Sequence, residues 1–181
     1  MTRVVVVIAC VVALAAGAFA VVQTRRATDE ADRAAAAEAR AASAEAAVDE
    51  DAAVRSGAEA FTTALLTYEA GALDEASRRL ADVATEDFLA TYAQALTDGV
   101  GAAIDDVGAA ASVTVREVFT GPVSADTATA FVVADMEVRS QSGTRMVTGL
   151  VLRLELVRGV PGWRVDALTT ITAEDVDVDG G

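Results

Sequence analysis

The residues with chemical potential in this chain are few. They are Tyr68 and Tyr92, the carboxylates Asp135, Glu137 and Asp166, and an acidic run at Asp175, Asp177 and Asp179. An isomerase of the ketosteroid kind needs a carboxylate base and a tyrosine or acid that donates to a developing oxyanion. Two tyrosines on helix faces and acids on strands are the raw material for that. Strand alternation, however, puts Asp135 on one face with Glu137 and Arg139, the pattern of a solvated surface. The chain has no His, and its single Cys10 lies in an apolar run. A Ser-His-Asp or Cys-His nucleophile is therefore excluded, as is dehydratase chemistry that relies on His. A tetrahedral zinc site lacks its usual ligands. Asp175, Asp177 and Asp179 lack the spacing and terminal Glu of a calcium loop and read as a solvated charge run. The expectation is a protein that is not an enzyme, with no catalytic residues, no metal and no cofactor.

The elements that would position these residues begin with Val4 to Val22, nineteen residues without a charge. At 1.5 Å per residue such a helix about matches the roughly 30 Å hydrocarbon core of a bilayer. Residues 1–25 are expected to be a membrane anchor with its span at 4–22, the N-terminus cytoplasmic and the rest extracytoplasmic. Rival readings are a signal peptide cut after Ala18-Phe19-Ala20, a lipoprotein with Val7-Ile8-Ala9-Cys10 as its lipobox, and the reverse topology. Arg3 and the terminal amine on one side nearly balance Arg25 and Arg26 on the other. The run closes on Arg25 and Arg26, which favours a complete span.

Formal net charge is −14. Beyond Arg26 there are 11 Arg against 28 acids, a balance of −17. A field of that sign repels nucleic acid and anionic headgroups and favours basic partners. Residues 26–51 are Ala-rich with scattered charge and no Gly or Pro, so they are expected to form a helical stalk whose methyl-lined faces bury little. A coiled-coil contact with a partner helix is the sharper reading of that stretch.

Residues 52–171 carry the pattern of one α+β domain. Val54, Ala58, Phe61, Leu65 and Tyr68 recur at steps of four and three, one face of a helix that stops near Gly71. Leu73, Ala76 and Leu80 predict a second helix. Thr85 predicts the N-cap of a third, with Phe88, Tyr92 and Leu96 on its face and a weak point at Gly99-Val100-Gly101. The period then becomes two. Four strands are expected, over 112–119, 127–139, 145–157 and 163–171. Turns are expected at Gly121-Pro122, Ser142-Gly143 and Gly159–Gly162. Val113, Val115, Glu117 and Phe119 should share one face, Met146, Leu150, Leu152, Leu154 and Leu156 should point inward, and Leu168 should lie opposite Trp163 and Val165. Short loops force antiparallel neighbours, so the expected fold is a curved four-stranded antiparallel sheet wrapped on helices. Residues 172–181 are expected to be an acidic flexible tail. A pocket lined by Phe61, Leu65, Tyr68, Tyr92, Phe131 and Trp163 could take an apolar ligand; a core filled by the same side chains is the plainer reading.

This order resembles the cystatin-like, NTF2-like cone fold. An N-terminal span, an Ala-rich stalk, the stretch Leu66 to Tyr92 with Thr85-x-Asp87-Phe88, and a last strand opening Gly162-Trp163-x-Val165 together resemble the Mce-associated membrane proteins of actinobacteria. Glu86 departs from the Gly usual in that family's motif. The resemblance covers nearly the whole chain, though its motifs are structural ones. It implies a non-catalytic, membrane-anchored accessory of the cell envelope with protein partners in an Mce-type lipid or sterol import complex. An apolar-ligand binder or enzyme using the cone pocket is one alternative. A VirB8-like secretion-channel component, which shares anchor and cone, is another.

Overall fold

The computed structural model describes the backbone of residues 2–171 and the side chains of 33 and 35–171. The chain divides into two units, Met1–Val48 and Asp49–Gly181. The expected span at 4–22 and the tail at 172–181 lie outside the described side chains. Among the described residues no helix is long and apolar enough to cross a membrane.

The first helix, α1, runs Thr2–Leu66, so the Ala-rich stretch and the first helix of the domain are one element. In the first unit the described side chains are almost all exposed, as expected where methyl groups offer no face worth burying. The second unit begins at Asp49, three residues before the expected boundary at Ala52. Val54, Ala58 and Phe61 are fully buried on one face of α1. The helix ends at Leu66, short of the expected Tyr68. Tyr68 and Glu69 instead form a two-residue strand, β1 (Tyr68–Glu69), paired with Ala111 and Ala110. Gly71 follows with φ +77° and turns the chain into α2 (Leu73–Ala81), which buries Ala76 and Leu80.

Thr85 caps α3 (Glu86–Ala95), its hydroxyl accepting from the Phe88 amide at 3.2 Å. A wider turn at Leu96–Val100 follows, in which Gly99 takes φ +119°, and α4 (Gly101–Asp106) completes the helical part. The weak point thus falls at Gly99, a backbone angle that side-chain-bearing residues rarely adopt.

Four long strands follow: β2 (Ala110–Val123), β3 (Thr127–Ser140), β4 (Gly143–Gly159) and β5 (Gly162–Ile171). With β1 they form a five-stranded antiparallel sheet in the order β1-β2-β3-β4-β5, one strand more than expected. Gly121 and Pro122 are not the turn. They sit in a bulge within β2, and the chain turns at Ser124, whose amide and hydroxyl both reach the Thr127 carbonyl.

Three other bulges correct the strand faces. Each adds one residue to one strand, which sends the following side chains to the opposite face. Arg116 is the extra residue of β2, so Val118 is buried while Phe119 is 47% exposed. In β4 the extra residue lies beside Gly149, at φ +70°, so Val147 is half-buried and Met146 is 55% exposed. In β5 it is Asp166, and Leu168 accordingly packs against the core with Trp163 and Val165. The core lies between α1 and the concave face of the sheet, where Leu152, Leu154 and Leu156 meet Phe61, Leu80 and Val54. Each buried leucine contributes about 2 kcal/mol. Exposed ion pairs such as Arg153 with Glu155 contribute about 0.5 kcal/mol, so the fold is held by its apolar seam.

Candidate functional site

The six residues expected to line a pocket are distributed over three places. Phe61 is fully buried and meets Phe88 edge to face, with ring centroids 5.0 Å apart. Leu65 and Tyr92 are partly buried against the same core, and Trp163 is 5% exposed. These four fill the space between helix and sheet. Burial foremost, with the neighbouring Tyr68 second, raises the Tyr92 phenol above its ordinary value. Phe131 pairs across strands with Phe119 on the opposite, convex face. Tyr68 alone of the six borders the large groove described below.

Trp163 is held by a contact from a residue that pattern reading assigns to the stalk. Its indole Nε1–H donates to Glu50 Oε1 at 2.6 Å. Glu50 also takes Arg158 at 2.7 Å, and the Arg158 guanidinium lies 4.5 Å from the centre of the indole ring. At the next residue, Asp51 accepts from Arg55 and from Thr120, and those two bonds hold its carboxyl below the usual range. The Arg55 guanidinium also donates to the Val118 carbonyl at 2.5 Å, tying α1 to β2. The sequence carries a signal of this. Asp49-Glu50-Asp51 interrupts the alanines and stands one turn before Arg55, as a helix beginning to make contacts would.

The strand acids are engaged at the bulges. Asp135 Oδ1 accepts from the Gly149 amide at 2.9 Å and Oδ2 from Arg116 at 2.7 Å. The Gly149 bond first, and Arg116 second, hold its carboxyl below the ordinary carboxylate value. One side chain therefore pins the bulges of both neighbouring strands. A general base needs a free lone pair and a pKa near the working pH; Asp135 is shifted the other way. Glu137 pairs with Arg139. Asp166, the bulge residue of β5, accepts from the Thr85 hydroxyl at 2.8 Å and so fixes the N-cap of α3. Asp175, Asp177 and Asp179 lie outside the described residues. Among the described residues no cluster of acids and cysteine is placed to hold a metal ion.

A groove of about 990 Å³ lies between α1 and α2, bordered at one end by β1. Ser56, Ala60, Thr63 and Thr67, on and just past α1, form one wall, and Glu75, Arg79 and Asp82 form the other. Ala64, Val83 and Ala111 lie at its base. The groove exists because the α1 side chains on this face are too short to reach the neighbouring helix. Glu59, Glu69, Glu75 and Asp82 border it. Arg79, the one cation among its described lining residues, already donates to the Thr67 carbonyl at 3.0 Å and lies 3.5 Å from Glu75.

No protein-family model matches the chain, and no curated protein matches it. Solved structures do. An IcmL-like type IV secretion system protein from Legionella pneumophila superposes with a TM-score of 0.58 at 15% identity, over 67% of this chain and 93% of that one. The periplasmic domain of DotI gives 0.58 at 15% identity, over 68% and 96%. CagV, a VirB8 homologue from Helicobacter pylori, gives 0.50 at 13%, over 66% and 96%. At such identities the likeness shows the fold, which is the α+β, NTF2-like one. None of these likenesses supports the Mce-associated resemblance, which rests on its motifs alone.

Proposed function

We propose that this protein is a non-catalytic assembly subunit of a membrane-embedded complex of the cell envelope, of the secretion-channel kind. Residues 4–22 anchor it, the N-terminus is cytoplasmic, and the cone domain works outside the membrane among other proteins. The observation that carries this reading is a combination: a domain sharing its fold with VirB8-, DotI- and IcmL-type proteins, in a chain that carries an uncharged run of membrane-spanning length at residues 4–22. Neighbours called periplasmic or secretion-system proteins lend this to the chain by analogy of fold. The filled core also supports it, since Phe61, Tyr92 and Trp163, which a ligand would displace, are packed into the apolar core.

A second reading, an accessory of an Mce-type lipid importer, is favoured by Thr85-x-Asp87-Phe88 and Gly162-Trp163-x-Val165. The two readings differ in partners, so copurification separates them. The protein is tagged at its C-terminus at native expression, membranes are solubilised in mild detergent, and the recovered proteins are identified by mass spectrometry. Subunits of a secretion or conjugation channel are the expected result. Mce-type importer subunits would transfer the assignment to the second reading. Reproducible recovery of the protein alone would refute both, and lipid extraction would then test the ligand-binding alternative.

A further inference from the structure

We propose that the groove between α1 and α2 is the docking site for a short cationic amphipathic helix of a partner protein. The inference rests on the reading of the chain as an assembly subunit and gives its partner a chemistry.

Shape supplies the first argument. Ser56, Ala60, Thr63 and Thr67 follow one another at steps of four, three and four along this wall. That is the seam spacing of a helix that packs lengthwise on another. Ser56, Ala60 and Thr63 are exposed, so the described residues of the domain leave the seam uncovered. Side chains this short let a second helix approach to about 8 Å between axes. A helix about 10 Å across advances 5.4 Å per turn. A space of about 990 Å³ therefore holds roughly two turns of it. A strand fits less well: β1, at the end of the groove, is two residues long and already paired with β2.

Charge supplies the second argument. Four carboxylates border the groove, and Arg79 is engaged by Thr67 and Glu75. A helix with Lys or Arg flanking a narrow Ala or Leu face complements both wall and rim. A second copy of this chain does not, because the part beyond Arg26 carries −17. Anionic headgroups are repelled for the same reason.

The test uses full-length protein in mild detergent, with empty micelles as the blank. A fluorescein-labelled helical peptide with an Ala/Leu face and Lys/Arg flanks is compared, by anisotropy, with its counterpart carrying Glu at the flanks. The cationic peptide should bind saturably, at least about tenfold tighter than the acidic one, and weaken as salt rises. Ala60→Trp fills the groove without changing charge and should weaken binding about tenfold or more. Ala46→Trp, the same change at an exposed site outside the groove, should leave it unaltered. Glu59→Gln with Asp82→Asn should weaken binding several-fold and flatten its salt dependence. Circular dichroism checks that each variant folds. Equal binding of the two peptides, or unchanged binding by Ala60→Trp, would overturn the proposal. So would displacement of the peptide by oleate, which makes the groove a lipid site, or self-association abolished by Ala60→Trp, which makes it a homotypic contact. Peptide binding without copurifying channel subunits would sink the proposed function and leave the groove standing; the reverse result would do the opposite.

Discussion

Glu50→Ala should destabilise the domain by about 2 kcal/mol. Trp163 is 5% exposed, and its indole N–H has Glu50 as its partner at 2.6 Å. Truncation leaves that part-buried donor without its acceptor, a loss that costs roughly 1–3 kcal/mol. Loss of the Arg158 pair adds less, because both side chains are partly open to water, at 42% and 31%, and such pairs contribute about 0.5 kcal/mol. Glu50→Gln keeps an acceptor for the indole and should cost less than about 1 kcal/mol. Trp163 is the only tryptophan in the chain, so its fluorescence reports unfolding of the domain directly. In urea, with a slope of about 2 kcal/mol/M, the midpoint of the Ala variant should fall by about 1 M and that of the Gln variant by less than half of that. An Ala variant within about 0.5 kcal/mol of wild type would refute the reasoning. Indole and carboxylate would then not depend on each other, and residue 50 would belong with the stalk after all.

Thr85→Ala should lose about 1 kcal/mol, since it removes both the N-cap of α3 and the bond to Asp166, and Thr85→Ser should recover most of it; urea midpoints for the pair decide this. Asp135→Asn should flatten the acid limb of the stability curve. The native carboxyl titrates below its unfolded value of about 3.8. Near that pH the unfolded chain therefore binds more protons, and the contribution is complete above 3.8 and lost as pH falls through the folded value. Urea midpoints from about pH 7 down to about pH 3 should converge for wild type and variant at the acid end; parallel curves would show that Asp135 is not the group responsible.

The helices and the general order of the fold are legible in the sequence because their signals are local. Thr85 is an N-cap by its position before Glu86 and Asp87, and Leu73, Ala76 and Leu80 repeat at helical spacing. The strand faces are partly illegible because alternation has no memory of a bulge: once a residue is added, every later side chain reads on the wrong side. A trace is nevertheless present. The inward residues step by two except from Val115 to Val118, from Thr120 to Val123, from Val147 to Leu150 and from Val165 to Leu168. There they step by three, and each such step coincides with a bulge. Strand β1 is invisible because two residues make no pattern. The groove escapes pattern reading for a related reason. Its wall consists of Ser, Ala and Thr, which stand out in no hydrophobic profile, and it depends on where α2 lies, which α1 does not encode.

The bulges also bear on how such a domain can change over generations. A single-residue insertion in a strand is ordinarily ruinous, because it turns the buried side of that strand outward. Here Asp135 anchors the inserted residues of β2 and β4 from across the sheet, and Asp166, itself the inserted residue of β5, is held by the hydroxyl of Thr85. With a carboxylate in place to receive it, an insertion becomes heritable, and it exchanges the outward set of side chains along half a strand in one step. Phe119 and Met146 lie outward for this reason. A lineage of such domains can thus acquire a new outer surface by lengthening a strand by one residue, while the leucines beneath it stay where they were.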